Sequence, residues 1–347
     1  MSAKTLKTVD ELLEAGLIKG DDVPRLAEVA ARYAIAMTPS MQALIDPDDA
    51  HDPIAAQFVP HVAELNQIPQ EMADPIGDHA HSPVEGIVHR YPDRVLLKAV
   101  HSCPVYCRFC FRREMVGPEG DGLLSGAALD AAIGYIRDHS EIWEVIFTGG
   151  DPLILSPRRL KAMLAQLATI DHVKIIRFHS RVPVVDPDRI DAALIDALTA
   201  SGKTTYIAIH ANHARELTDQ AKTAVDRLLG AGMALVSQTV LLKGINDDAA
   251  ILADLMRAFV QMRIRPYYLH HPDLAPGTGH FRVSLKRGQE IVSALRGHVS
   301  GLCQPIYVLD IPGGHGKAPI GANTVTADGD GYQITDFRGQ QHHYTDV

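Results

Sequence analysis

The sequence predicts an α/β protein whose core is a parallel sheet, built from six β/α units that form a partial (β/α)6 barrel. Three observations lead to this fold class. Short apolar runs alternate with helical segments over residues 94–296, polar residues follow most of these runs, and the first 90 residues lack the alternation. Such alternation is typical of a parallel sheet covered by helices. An open doubly wound sheet remains the alternative.

Composition limits the class of protein. The chain has 347 residues, of which 46% are hydrophobic and 22% charged, and its formal net charge is −9. These values argue against a disordered chain and against a nucleic-acid partner, which would require a basic surface. The sequence has no apolar run of about 18 residues and no apolar signal-peptide core. We therefore expect a cytoplasmic protein without a membrane partner.

Residues 1–92 are expected to form a helical N-terminal region. Apolar residues recur at helical spacing over Val9–Leu17 and Pro24–Met37, and prolines in acidic turns punctuate the segments that follow. The stretch Asp74–Tyr91 is rich in proline, glycine, aspartate and histidine, which predicts a loop that leads into the next unit.

The barrel is expected over residues 93–300, followed by a short C-terminal segment, residues 301–347. The predicted strands are Val95–Val100, Val145–Thr148, Val173–Phe178, Tyr206–His210, Ala234–Leu242 and Ile264–Leu269. The predicted helices are Leu124–Arg137, Arg158–Leu167, Ile190–Thr199, Leu217–Leu229, Ala249–Met262 and Gly288–Arg296. In parallel barrels the chemistry collects in loops after the carboxyl ends of the strands, so we expect the functional site there.

The cysteines give the first indication of chemistry. The chain has four cysteines, too few for a disulfide framework. Three of them, Cys103, Cys107 and Cys110, form a C-x3-C-x2-C pattern directly after the first barrel strand. Three thiolates in one tight loop suit an iron–sulfur cluster. A zinc site completed by His101, or three unrelated buried cysteines, are the alternatives.

Two glycine-containing loops add to this pattern. Gly149, Gly150 and Asp151 follow the second strand, where glycine allows the backbone to approach a ligand closely. The loop that begins at Ile311 presents Lys317 but lacks the residues of a phosphate-binding loop. A lysine in such a loop is suited to bind pyridoxal phosphate covalently, the alternative being an exposed lysine on a flexible loop.

Together these motifs resemble the radical S-adenosylmethionine superfamily and, within it, the lysine 2,3-aminomutase family. The cysteine motif and the glycine turn carry the first resemblance. The second covers most of the chain and rests on segments such as His89–Leu97, Ser180–Val185, Gln238–Leu242, Arg265–Tyr268 and Asp310–Gly314. The resemblance implies a TIM-like partial barrel of the radical S-adenosylmethionine type.

The resemblance also implies three cofactors: a [4Fe-4S] cluster, S-adenosyl-L-methionine and pyridoxal 5'-phosphate. The residues implied to bind them are Cys103, Cys107 and Cys110 for the cluster, Lys317, Arg90, Tyr91 and Arg94 for pyridoxal phosphate, and Gly149, Gly150, Asp151, His210 and Gln238 for S-adenosylmethionine. In this assignment Lys317 is also the catalytic residue. The two arginines would hold the cofactor phosphate, since paired guanidinium N–H groups match phosphate oxygens.

The implied substrate is an amino acid, most simply lysine. Arg112 would bind its α-carboxylate, while Asp273 and Asp310 would bind its ε-ammonium group. The implied activity is that of an isomerase. A 5'-deoxyadenosyl radical removes hydrogen from C3 of lysine, and the amino group moves from C2 to C3 to give β-lysine. The resemblance further implies an electron donor such as flavodoxin or ferredoxin, and a homo-oligomer.

Other functions remain open from the sequence. The same chemistry would also serve β-lysylation of elongation factor P, or act on glutamate or arginine. A non-catalytic iron–sulfur or zinc protein is the alternative from another class, but it leaves Lys317 and the two aspartates without a function.

Overall fold

The computed structural model describes residues 4–116 and 122–346. Its N-terminal region begins with helices α1 (Val9–Glu14) and α2 (Val23–Arg32), which confirms the two predicted helices. The second ends earlier than predicted because Met37 forms a β-bridge with Leu6, and this bridge requires extended backbone after α2. Two short helices follow, α3 (Pro39–Gln42) and α4 (Ala55–Phe58).

A curled nine-stranded sheet forms the centre of the described part of the chain. Its strands are β1 (Ile87–Tyr91), β2 (Arg94–Val100), β3 (Glu144–Gly149), β4 (Ile175–Ser180), β5 (Thr204–His210), β6 (Ala234–Val240), β7 (Arg265–His270), β8 (Ile306–Asp310) and β9 (Lys317–Pro319). Their spatial order equals their chain order. Strands β2 to β8 are parallel neighbours, and β1 and β9 are antiparallel to the adjacent strands. Strands β2 to β7 and the helices that follow them therefore confirm the six predicted units of a partial barrel.

The helices that cover the sheet are α5 (Gly126–Asp138), α6 (Pro157–Ala168), α7 (Val182–Val185), α8 (Ala192–Leu198), α9 (Asp219–Gly230), α10 (Ala249–Gln261) and α11 (Leu285–Leu295). Several begin where a serine or threonine hydroxyl accepts a backbone N–H of the first turn, as at Ser125, Ser156, Thr218 and Ser284. This contact satisfies one of the N–H groups that a helix start leaves unpaired. Local sequence thus determines where these helices begin.

Three strands of the nine-stranded sheet lie where the sequence predicted none. Strand β1 occupies the end of Asp74–Tyr91, which was expected to be a loop, because buried Ile87 and Val88 pair with β2 across a tight turn. Strands β8 and β9 fall within the predicted C-terminal segment. The sheet therefore extends across both expected domain boundaries, after residues 92 and 300, and the division into domains 1–92, 93–300 and 301–347 stays a proposal.

A separate three-stranded antiparallel sheet ends the described chain, formed by β10 (Val325–Asp328), β11 (Gly331–Thr335) and β12 (Gln341–Tyr344). Tyr332 lies opposite both Ala327 and Tyr344, and Val325 lies opposite Ile334. Since directly opposed residues share one face of a sheet, these five side chains form an apolar face that also includes His342, opposite Ile334. Within the described ranges no helix is long and apolar enough to cross a membrane.

A buried ion-pair cluster joins the N-terminal region to the loop after β2. The Glu64 carboxylate is fully buried and accepts hydrogen bonds from Arg108, with Nε to Oε1 at 2.9 Å, and from Arg113. Arg113 also donates to the Gly277 carbonyl at 3.1 Å. Because the guanidinium groups are buried too, each depends on this one carboxylate for charge compensation.

We expect Glu64→Gln to lower the free energy of unfolding by about 3 kcal/mol, since it leaves buried arginines without their counter-charge. Urea titration followed by circular dichroism measures the change. Asp254→Asn serves as the control, because its pair with Arg257 is exposed and such pairs contribute little. Equal stability of the two variants would show that the cluster does not stabilise the fold.

Candidate active site

A large cavity lies within the curl of the sheet, at the ends of its parallel strands, with about 1610 Å³ of empty space including its mouth. Every residue that the sequence assigned to a site lines it. These residues are Arg90, Tyr91, Arg94, Cys103, Cys107, Cys110, Arg112, Gly149, Gly150, Asp151, His210, Gln238, Asp273, Asp310 and Lys317. The structure thus brings together groups spread over more than 200 residues, while the role of each one stays a prediction.

The three thiols occupy one wall of this cavity. Their loop is fixed to the N-terminal region, because Tyr106 donates its N–H to Ala36 and Arg108 donates to Gln57, at 2.9 and 2.8 Å. Burial raises the pKa of Cys110 to about 11 and raises that of Cys103 well above its ordinary value. Buried thiolates need positive compensation nearby, which iron ions supply. The donor set therefore fits an iron–sulfur cluster.

The spacing of the thiols bears on the zinc alternative. In residues 4–116 and 122–346, no three His, Cys, Asp or Glu side chains lie close enough to hold one metal ion. In a four-iron cluster each thiolate binds a different iron, so the thiols stand further apart than the ligands of a single zinc. The three thiols line the same cavity, where a cluster held by three thiolates keeps one iron open.

The glycine turn after β3 packs against the cysteine loop. A Cβ atom on Gly149 would lie 2.5 Å from the Val100 carbonyl oxygen, and one on Gly150 would lie 2.1 Å from that of Ser102. Gly149 also has a φ of +107°, which favours glycine. The sequence predicted that glycine here admits a ligand. The structure shows a close approach between two segments of the chain itself, and the role of the turn towards a ligand stays a prediction.

Asp151 holds this turn against the end of β4. Its carboxylate accepts hydrogen bonds from the Ser180 hydroxyl at 2.7 Å and from the N–H groups of Leu153, Arg181 and Val182 at 3.0, 2.6 and 3.2 Å. The carboxylate oxygens are thus committed within the chain. The backbone of the turn, rather than this carboxylate, is the part that can bind a ligand.

Sequence reasoning did not assign Arg181 a role, although it lies at the centre of a buried network. Its Nη1 donates to Cys107 Sγ at 2.8 Å, and its Nη2 donates to Gln57 and Glu216 at 2.6 and 2.5 Å. Arg177 and His179 share a face of β4, Arg181 follows directly after the strand, and all three line the cavity. Their two-residue spacing was the pattern that could have identified all three.

Lys317 lies on strand β9, directly opposite Asp310 on β8. Its Nζ is 2.5 Å from Asp310 Oδ1, and its backbone N–H donates to the Tyr91 hydroxyl at 2.7 Å. The Arg94 guanidinium carbon lies 3.9 Å from the centre of the Tyr91 ring. This lysine is therefore held inside the cavity on a paired strand, which argues against a lysine on a flexible loop. Amine, ring and guanidinium together fit pyridoxal phosphate.

Asp78 is a site residue that could not be identified from the sequence, because it lies in the long stretch before β1 and belongs to no motif. It is fully buried and accepts hydrogen bonds from Arg90 at 3.1 Å and from Arg112 at 2.9 Å. Burial alone would raise its pKa, but the neighbouring Arg112 guanidinium holds the pKa below its usual range. One ionised carboxylate thus orients two of the predicted anion-binding arginines.

The two predicted ammonium-binding carboxylates differ in protonation. Burial and the charge of Asp310 raise the pKa of Asp273 to about 7. Burial also opposes ionisation of Asp310, but a hydrogen bond from His270 and the charge of Lys317 keep its pKa below the usual range. On the other side of the cavity, burial lowers the pKa of His210 to about 3, so its ring is neutral at pH 7.

A curled parallel sheet with three cysteines and a glycine turn at adjacent strand ends defines a radical S-adenosylmethionine enzyme. Residues 98–256 match the family model described as the radical SAM superfamily. The chain belongs, more narrowly, to the lysine 2,3-aminomutase family. It is 39% identical over 320 residues to L-lysine 2,3-aminomutase of Clostridium subterminale, covering 92% of this chain and 76% of that one.

Two further relatives show the range of the family. The putative L-lysine 2,3-aminomutase of Aquifex aeolicus is 38% identical over 343 residues, covering 98% of this chain and 91% of that one. The glutamate 2,3-aminomutase of Clostridioides difficile is 36% identical over 324 residues, covering 93% of this chain and 76% of that one. The chain is thus an amino-acid 2,3-aminomutase, an isomerase that works with a [4Fe-4S] cluster, S-adenosylmethionine and pyridoxal phosphate.

Proposed function

We propose that this enzyme converts L-lysine to β-lysine. The observation that carries the proposal is the distribution of charge in the cavity: a cationic group, Arg112, and a pair of carboxylates, Asp273 and Asp310, line the same space. Lysine carries an anionic group at one end and a cationic group at the other. Lysine therefore matches this distribution. The names of relatives of this chain, L-lysine 2,3-aminomutases, agree with it.

Glutamate fits the same cavity less well. Its distal carboxylate would meet Asp273 and Asp310, and like charges at close range repel. Arginine carries a distal cation as lysine does, so charge alone does not separate these two.

The test is turnover of free lysine, glutamate and arginine by the reconstituted enzyme, with products separated by chromatography. We expect β-lysine as the main product. Preferential turnover of glutamate would refute the proposal. Use of the product in elongation factor P modification stays a separate, untested prediction.

In this proposal the cluster and S-adenosylmethionine supply the radical when bound, and pyridoxal phosphate holds the migrating amino group. The chain's residues position the substrate and exclude water. Arg112, oriented by Asp78, binds the α-carboxylate, and Asp273 and Asp310 bind the distal ammonium. Lys317 holds and releases pyridoxal phosphate through its amine. Since hydrogen moves as an atom, a strong general acid is unnecessary, in agreement with the neutral histidines that line the cavity.

Lysine binding should depend on pH through Asp273. Below about pH 7 this carboxyl is protonated and attracts the substrate ammonium weakly, whereas above it the group is ionised. We expect the KM for lysine to fall roughly tenfold between pH 6 and pH 8, while kcat changes less. Asp310 stays ionised in this window, and burial lowers the pKa values of His179, His210 and His270.

The Asp273→Asn variant is the control for this pH profile. It should show a KM that is raised at pH 8 and nearly constant across the window, because the group that titrates is gone. A variant that keeps the wild-type pH dependence would assign the effect to another residue.

We also propose that a flavodoxin or ferredoxin delivers the electron from outside the cysteine loop. A second, smaller cavity borders the loop and is lined by Tyr33 and Tyr106 together with the three cysteines. The loop therefore separates the central cavity from a space on its other side. This supports short-range electron delivery to a cluster bound there. A cytoplasmic location, where such donors occur, belongs to the same proposal.

Finally, we propose that the chain forms a homo-oligomer through its C-terminal sheet. The apolar face of β10–β12 is exposed, with Val325, Tyr332 and Tyr344 at 43%, 36% and 51% exposure. Five of its members are apolar and His342, opposite Ile334, is the titratable one, so an identical face is a suitable partner. We expect Tyr332→Asp to shift the protein to monomer in sedimentation analysis, while Thr326→Asp, on the opposite face, does not. A wild-type monomer at micromolar concentration would contradict this.

A further inference from the structure

His270 connects the two ends of the cavity. It lies on β7, and its side chain is 14% exposed. On one side its Nε2 is 3.4 Å from the amide nitrogen of Gln238, a residue predicted to contact S-adenosylmethionine. On the other side its Nδ1 is 3.4 Å from Oδ2 of Asp310, a residue proposed to bind the substrate ammonium. The imidazole ring thus touches one residue from each binding site.

A single neutral tautomer satisfies both contacts. With its proton on Nδ1, the ring donates to the Asp310 carboxylate and accepts at Nε2 from the Gln238 amide. The opposite tautomer would direct a lone pair at the carboxylate, which is unfavourable. Burial lowers the pKa of His270, in agreement with a neutral ring. The Tyr268 ring stands edge-on to the imidazole at 5.7 Å and limits its rotation.

In this tautomer the contacts run in one direction. The Gln238 amide faces the Nε2 lone pair of His270, the Nδ1 proton faces Asp310 Oδ2 at 3.4 Å, and the other oxygen, Oδ1, faces the Lys317 amine. The bond from His270 leaves Oδ1 as the oxygen available to an ammonium group. The contact between Gln238 and His270 fixes the Gln238 side chain so that its carbonyl points away from His270. A change at Gln238 or at Asp310 therefore affects the other residue through His270.

We propose that His270 is a positioning residue that couples binding of S-adenosylmethionine to binding of the amino-acid substrate. The proposal rests on the function proposed above for Asp310. A bound adenosyl group that orders Gln238 also orders the imidazole, which presents Asp310 to the substrate in one orientation. Each ligand therefore tightens binding of the other by the same factor, as thermodynamic linkage requires.

The experiment measures the Kd of S-adenosylmethionine on the unreduced, cluster-loaded holoenzyme by equilibrium dialysis, with and without lysine. In the wild type we expect lysine to tighten this Kd about fivefold or more. In His270→Phe, which keeps an aromatic ring beside Tyr268 but removes both nitrogens, lysine should change the Kd by less than about twofold. A purely structural role would weaken both ligands and leave the coupling factor unchanged, and that result would overturn the proposal.

Two conservative variants test the Gln238–His270 contact and the His270–Asp310 contact separately. In His270→Asn the amide replaces Nδ1, so lysine affinity should recover while S-adenosylmethionine affinity stays weak. In His270→Gln the longer amide replaces Nε2, and the opposite pattern is expected. His271→Asn is the control, because the Nδ1 of His271 instead contacts the Tyr307 hydroxyl at 2.7 Å. Its coupling factor should equal that of the wild type.

The two proposals fail in different ways. If lysine does not bind the wild-type holoenzyme, the proposed substrate is wrong. The affinity for S-adenosylmethionine alone still tests His270: it should be weaker in His270→Phe than in His270→Gln. Equal affinity in those two variants would overturn the role of His270 even if lysine is the substrate.

Discussion

Replacement of Lys317 by alanine should lower β-lysine formation by at least roughly 10³-fold, because the variant lacks the amine that holds pyridoxal phosphate. Lys317 lines the cavity, and its backbone N–H donates a hydrogen bond to the Tyr91 hydroxyl. The purified wild type should show an absorbance band near about 420 nm from covalently bound cofactor. The variant should lack the band and lose the cofactor on gel filtration.

Lys286→Ala is the matched control, since Lys286 is exposed on α11. It should keep both the absorbance band and the activity. If Lys317→Ala retained full β-lysine production, the assignment of the cofactor lysine would be wrong, whatever the result for Lys286.

Replacement of Cys107 by alanine should abolish cleavage of S-adenosylmethionine, a loss of at least roughly 10³-fold. A four-iron cluster requires three protein thiolates here to leave one iron open. Cys107 also accepts the hydrogen bond from Arg181, so this variant leaves a buried guanidinium without that partner. We expect iron content after anaerobic reconstitution to fall well below four per chain, and the low-temperature electron paramagnetic resonance signal of the reduced cluster to disappear.

The fourth cysteine provides the control for this experiment. Cys303 is buried near the start of β8, away from the cavity wall. Cys303→Ala should bind iron as the wild type does, at a modest cost in stability from the smaller side chain. Equal iron loading of the Cys107 and Cys303 variants would contradict the assignment of the cluster ligands.

Most of the barrel could be predicted from the sequence because several of its parallel strands contain a short, buried apolar run. Val145 to Phe147 and Ile207 to Ile209 are examples. Two of the strands that were missed, β1 and β9, have different patterns. Strand β1 places only two apolar residues at its start, and β9 has three residues and is paired on one side only. Their strand character depends on pairing with β2 and β8, which local sequence does not contain.

The candidate site was predictable to the extent that its residues belong to recognisable motifs. All of these residues line one cavity, but the connections among them were not predictable. Asp78 reaches Arg90 and Arg112 only because the stretch before β1 folds back over the cavity. Gly149 and Gly150 accommodate the cysteine loop, an approach between segments about 50 residues apart. Such contacts depend on tertiary packing and leave no periodic pattern in the sequence.

In the proposed reaction, the amino group of lysine moves from C2 to C3 within this cavity. The most direct measurement is nuclear magnetic resonance of the reaction of L-lysine labelled with ¹³C at C2 and C3. The reconstituted enzyme would be given S-adenosylmethionine, pyridoxal phosphate and dithionite without oxygen. We expect the C3 resonance to shift to that of an amine-bearing carbon while the C2 resonance becomes that of a methylene. Unchanged lysine, in a sample whose cluster and cofactor contents are complete, would contradict the account.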